Sequence, residues 1–154
     1  MLNKAFLRIL LCLIITMFPG ATFAAGSGDD YGTTSKMPSS YQKAVKIIKS
    51  GKYQEAISLL KLAEIIKPKD TDIYNLFGFT HRKSGDVKRV GTYYRGALKI
   101  DRKHKSALEC QGELFLMVGN KAAAEDNLRK LEKICWLGCT ELDDLQIAIK
   151  NYKS

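Results

Sequence analysis

Few residues in this sequence could carry chemistry, and the cysteines come first. Cys12 lies in an apolar N-terminal run and Cys110 stands alone, while Cys135 and Cys139 flank Trp136-Leu137-Gly138. A C-x-x-x-C pair can bridge, exchange electrons as a dithiol, or share a metal. On one unbroken helix the two thiols would sit on adjacent turns, and a bridge would constrain little. Gly138 ends the helix, so the chain can bend back and bring the sulfurs together. Redox exchange is the rival reading, but the spacing is not C-x-x-C and no βαβ pattern surrounds it. Metal binding fits less well, because neither His81 nor His104 stands at ligand spacing from these cysteines. There is no nucleophile–base arrangement, no Gly-rich phosphate loop and no H-E-x-x-H. The acids are scattered as helix caps and ion-pair partners, so no enzyme activity, cofactor or metal is expected.

The N-terminus decides which cysteine chemistry applies. Lys4 and Arg8 precede a ten-residue apolar core, Ile9 to Phe18, which Pro19-Gly20 breaks. Thr22 and Ala24 then supply small residues at the two positions that a signal peptidase reads. Residues 1–24 read as a secretory signal peptide cleaved near Ala24. As an anchor the apolar core is short, since a bilayer takes roughly 20 residues. Cys12 is no lipoprotein site, because bulky Leu11 precedes it. The chain is expected to be exported, periplasmic or secreted. In that oxidising setting a structural disulfide between Cys135 and Cys139 is the expected outcome.

Charge is the other chemical resource. The chain carries 25 basic and 16 acidic residues, and without Lys4 and Arg8 the excess is still +7. Much of it falls at Arg82, Lys83, Lys88, Arg89, Arg95, Lys99, Arg102, Lys103 and Lys105. Such a stripe can attract an acidic protein, an anionic lipid or a nucleic acid. The plain alternative is a solvated helix face. Export makes nucleic acid an unexpected partner, and a membrane is expected to matter only through the signal peptide or weak electrostatics.

These residues are held by a repeating scaffold. Residues 25–38 are rich in Gly, Ser, Thr and Asp without apolar periodicity, and read as a flexible linker. A shift of 34 residues then aligns Gly51, Gly85 and Gly119, and also Ala44, Gly78 and Gly112. On either side of each turn, apolar residues recur at helical spacing. Tyr41, Ala44, Val45 and Ile48 precede Gly51, and Tyr53, Ala56, Ile57, Leu60, Ala63 and Ile66 follow it. Helix starts are expected at the capping residues Ser39-Ser40 and Thr140. Gly91 and Gly96 fall inside a helix, where each costs about 1 kcal/mol relative to alanine. Leu142, Leu145, Ile149 and Tyr152 mark one face of a last helix, about 140–153, which would close the array. His81 is expected in the core or at its boundary, and His104 in a solvated loop. Cys110 reads as a small buried hydrophobe.

The period and the small–large alternation resemble the tetratricopeptide repeat family. GKYQEAISLLKLAEIIKPKD, with Pro68 in the position where the family favours proline, is the best local match. Val90 and Arg102 depart from its pattern. The resemblance implies an all-α, right-handed superhelical solenoid over residues 39–154. Its three hairpins would be about 37–70, 71–104 and 105–138, followed by the capping helix. It also implies a concave groove lined by the first helix of each hairpin and holding a partner peptide or helix. The matching positions are Tyr41, Gln42, Val45 and Lys49, then Asn75, Leu76, Phe79, Arg82 and Lys83, then Glu109, Glu113, Leu116 and Met117. Cys110 also falls towards the groove, which leaves an accessible thiol as the alternative to a buried one. Family members that clamp a chaperone's C-terminal carboxylate use lysine, arginine and asparagine at fixed positions. Tyr41, Val45, Leu76, Ser106 and Cys110 stand there instead, so that clamp is missing. The expected function is a non-enzymatic adaptor that holds another protein in the cell envelope. The alternatives are a thiol–disulfide protein using Cys135 and Cys139, or a basic surface for acidic partners or anionic lipid.

Overall fold

A computed structural model describes residues 36–153; the readings of 1–24 as a signal peptide and of 25–35 as linker lie outside them. Seven helices follow in order: α1 (Ser39–Lys49), α2 (Tyr53–Ile66), α3 (Thr71–Lys83), α4 (Val87–Ile100), α5 (Lys105–Met117), α6 (Lys121–Ile134) and α7 (Thr140–Asn151). No strand occurs among the described residues. The helices pair as hairpins α1–α2, α3–α4 and α5–α6, each packed on the next, with α7 against both α5 and α6. This is an all-helical hairpin solenoid.

The 34-residue glycine register has a local cause. Gly51, Gly85 and Gly119 adopt φ of 74°, 84° and 78°. Each lets the chain reverse, so that the following N–H reaches back to a carbonyl in the last helical turn. Lys52 donates to Ile47, Asp86 to His81 and Asn120 to Phe115, over 3.4, 3.0 and 2.8 Å. A left-handed residue closing a helix in this way satisfies carbonyls that would otherwise lack donors.

Helix starts differ from the expectation in three places. Helix α1 begins at Ser39 after Pro38 with no side-chain cap, and the Ser40 hydroxyl is buried without a partner. Proline supplies the φ that the entry needs, so the serine is already helical and turns inward. Helix α7 has Cys139, not Thr140, at its cap position and no side-chain bond there. His104 is no loop bystander. Its Nδ1 accepts from the Ala107 N–H at 3.1 Å, which makes it the cap of α5. Its Nε2 lies 2.9 Å from Asp72 Oδ1 at the start of α3.

Three core clusters run along the stack. Ala44, Ile57, Leu60, Ile73 and Phe77 belong to the first. Val90, Tyr94, Cys110 and Leu114 form the second, and Leu108, Leu131 and Leu145 the third. The first two join consecutive hairpins and the third joins the last hairpin to α7, and each large side chain fully buried is worth about 1.5–3 kcal/mol. Small residues let the helices approach closely. A Cβ on Gly112 would stand 2.6 Å from Leu145 Cδ1, and one on Gly96 2.6 Å from Tyr74 Cδ1. Gly96 therefore serves packing, although by propensity it weakens α4.

Candidate functional site

The candidate residues lie on α1, α3 and α5, the first helices of the hairpins, and the structure draws together those at the centre. Arg82 of α3 forms an ion pair with Glu113 of α5. The Arg82 and Lys83 cations stand 5.6 and 5.5 Å from the centroid of the Phe79 ring, which suits cation–π attraction. Phe79 itself packs on the cluster of Val90, Tyr94, Cys110 and Leu114. Its ring is half-buried, with one side supported by the core.

Beneath this group lie polar atoms of Tyr94, which the sequence reading did not select, and of Glu109 and Cys110, which it did. Tyr94, from α4, is fully buried, and its hydroxyl has no hydrogen-bond partner. Burial pushes its phenol far above the ordinary range, and the neighbouring Cys110 adds to the effect. Burial likewise pushes the Cys110 thiol up, with Glu109 reinforcing it. The thiol donates to Glu109 Oε2 at 3.1 Å. Cys110 is thus a protonated, buried thiol and not an accessible one. Glu109 is itself harder to ionise than usual because it is partly desolvated. Burial opposes the Arg82 charge, and the Glu113 carboxylate paired with it offsets that opposition and holds the cation. The outcome is one fixed positive charge, internally balanced, beside an aromatic ring.

The first hairpin contributes more loosely. Burial, then Asp72 and Asp70, raise the Tyr41 phenol to about 12. Gln42 Nε2 donates to the Met37 carbonyl at 3.3 Å. Val45 is half-buried and Lys49 exposed. No hydrogen bond or ion pair among the described residues links these four to the central group. On α3, Leu76 packs against the first core cluster, and Asn75 Oδ1 is buried without a partner. On α5, Met117 is exposed, whereas Leu116 is buried and presents little surface to a ligand. Leu116 is therefore support and not contact surface, because the packing around α5 covers it.

The cysteine pair lies elsewhere, in the α6–α7 turn. The Cys135 and Cys139 sulfurs are 2.12 Å apart and their Cα atoms 5.6 Å, with Gly138 at φ 86° turning the chain between them. His81 is buried, stacked on Tyr93 at 5.1 Å. Among the described residues no three His, Cys, Asp or Glu side chains are grouped to hold a metal ion.

The sequence matches no protein-family model and no curated protein. Solved structures do share the fold. The first TPR of Spaghetti (RPAP3), bound to the HSP90 peptide SRMEEVD, superposes with a TM-score of 0.64 at 14% identity, covering 72% of this chain and 90% of that one. The Yersinia enterocolitica type III secretion translocator chaperone SycD gives 0.62 at 19% identity, over 73% and 85%. The same chaperone in complex with a peptide of the translocator YopD gives 0.62 at 19%, over 73% and 86%. At such identities the likeness establishes the architecture: stacked tetratricopeptide-type hairpins.

Proposed function

We propose that the chain is a non-enzymatic adaptor of the cell envelope that holds a segment of another protein on the face of α1, α3 and α5. One observation carries this reading: Phe79, backed by core and flanked by Arg82, Lys83 and Glu113, offers an apolar contact with charges of both signs beside it. Such a face suits an amphipathic or extended segment of mixed charge. Two of the structural neighbours carry peptides, one from HSP90 and one from YopD, which supports a peptide-sized ligand. The residues for gripping a terminal carboxylate are lacking, so an internal segment is favoured over a free C-terminus. The apolar segment 9–18 supports export. A bridge between Cys135 and Cys139, across the turn at Gly138, is structural and sets the entry angle of α7.

The test is crosslinking in intact cells, followed by binding of the captured protein to the purified chain from residue 25 onwards. The unaltered chain should bind one partner reproducibly, and the double change Phe79→Ala, Arg82→Ala should abolish binding while helical content is kept. Binding that survives the double change overturns the assignment of this face.

A further inference from the structure

The turns that join one hairpin to the next are linked through the starts of α3, α5 and α7, at the opposite end of α3 from Phe79, Arg82 and Lys83. The His104–Asp72 contact at 2.9 Å ties the start of α5 to that of α3. The Ser106 hydroxyl, donating to Glu141 Oε1 at 3.1 Å, ties the start of α5 to that of α7. Along this edge the last residue of each second helix is an isoleucine in the same register: Ile66, Ile100 and Ile134. Ile134 packs into the third core cluster, but Ile66 is 65% exposed and Ile100 43%. Beyond Ile134 the chain makes a five-residue loop with its ends pinned at Cys135 and Cys139, and its tip is Trp136-Leu137, each 80% exposed. Large apolar side chains gathered at loop tips mark an interaction surface.

The charges of the same edge are one-sided. Four of its acids are engaged within the chain, and the exposed Glu132 and Asp143 are outnumbered by its cations. Asp70 caps α3, Asp72 meets His104, Asp101 accepts from the Lys103 N–H, and Glu141 accepts from Ser106. No ion pair or hydrogen bond among the described residues occupies the side-chain cations of Lys69, Lys99, Arg102, Lys103, Lys105 or Lys133. Lys69 and Lys99 also stand at the rim of an open cavity of about 480 Å³ whose walls include Tyr74, Gly96 and Ile100.

We propose that this edge docks on an anionic phospholipid bilayer. Trp136 and Leu137 enter the headgroup–acyl boundary, where an indole finds both apolar and polar surroundings. The unpaired lysines and Arg102 meet the lipid phosphates, and the cavity between Lys69 and Lys99 takes one headgroup with its first carbons. Apolar insertion and cation attraction act together here, as stable surface binding requires. The Phe79, Arg82 and Lys83 group, at the other end of α3 from Asp70 and Asp72, stays open to a partner, so changes there test the two activities separately.

Trp136 is the single tryptophan of the chain and reports on its own insertion. The experiment uses the chain from residue 25 onwards, since every core cluster lies within 36–153. Vesicles of phosphatidylglycerol should shift the emission to the blue and allow quenching by brominated acyl chains, whereas phosphatidylcholine vesicles should not. About 0.5 M salt should release the protein, because screening shortens the reach of the cations. In co-sedimentation, Leu137→Ser combined with Lys99→Glu and Lys103→Glu should cut vesicle binding by at least about tenfold. Phe79→Ala, Arg82→Ala should leave it unchanged. An unshifted emission with phosphatidylglycerol, equal binding to both lipids, or a lipid-free shift that grows with protein concentration and so signals a second copy would each overturn the proposal.

Discussion

Arg82 and Glu113 pair across two successive first helices, with 12% and 31% of their side chains exposed. Glu109, one turn earlier on α5, lies close enough to feel both charges, but the ion pair itself is between Arg82 and Glu113 and ties α3 to α5 at the centre of the candidate site. Exposed pairs contribute about 0–1 kcal/mol, and partial burial places this one higher. A double-mutant cycle with Arg82→Ala and Glu113→Ala should return a coupling of about 1–2 kcal/mol in urea unfolding. Simple additivity of the two changes would show that the contact does not hold the helices together.

Two glycine-to-alanine changes of identical chemistry should have opposite signs. At Gly112 the new methyl would meet the fully buried Leu145, whose methyls lie 2.6 and 2.7 Å away. Gly112→Ala should destabilise the fold by about 1–3 kcal/mol through overpacking against α7. At Gly91 the nearest atom is the end of the Arg95 side chain at 3.2 Å, which can swing aside. Gly91→Ala should therefore stabilise by up to about 1 kcal/mol through helix propensity. Thermal melts of the two variants check both signs.

Stability should fall in mild acid, and His81 should be responsible. Its ring is buried against Tyr93, and this burial lowers its pKa from 6.5 in spite of nearby Asp86. Asp86 Oδ2 approaches Nδ1 to 3.3 Å. The folded state thus favours the neutral ring, while the unfolded chain protonates near its ordinary pKa. The contribution is complete above about pH 6.5 and is lost as the pH falls through the lower, folded value, with a slope of at most about 1.4 kcal/mol per pH unit. His81→Phe should flatten this slope in melts taken between pH 5 and 8. An unchanged slope would assign the effect to another group.

The three cysteines of the folded part should behave unequally. Cys110 is buried and its thiol is held protonated, so a thiol reagent should find it only after unfolding. Thiolates and not thiols react. With the Cys135–Cys139 bridge intact, the chain from residue 25 onwards should therefore show no fast thiol when folded and one when unfolded. The bridge closes a very short loop, so Cys135→Ser, Cys139→Ser should cost about 2 kcal/mol or less. Ready exchange of these sulfurs with mild reductant would revive the redox reading.

How much of this could be read from the chain follows from the range of each interaction. The glycine register was legible because each Gly51-type turn is made by a few consecutive residues, and local geometry repeats wherever the local sequence does. The helical periods were legible for the same reason, and so was the choice of α1, α3 and α5 as the helices carrying the candidate residues. Caps were less so. Whether a serine caps depends on the backbone just before it, and Pro38 moved the start of α1 ahead of Ser40.

Tertiary structure alone decided the contacts between residues far apart in sequence. His104 passes for loop until Asp72, 32 residues earlier, is brought to its ring. Gly96 looks like a defect until the Tyr74 ring is seen lying against it. Leu116 and Met117 are neighbours in one helix, yet packing buries the first and leaves the second exposed. Periodicity assigns a residue to a face. Only the folded neighbours determine what covers that face, because burial and pairing are set by side chains that the local sequence does not contain.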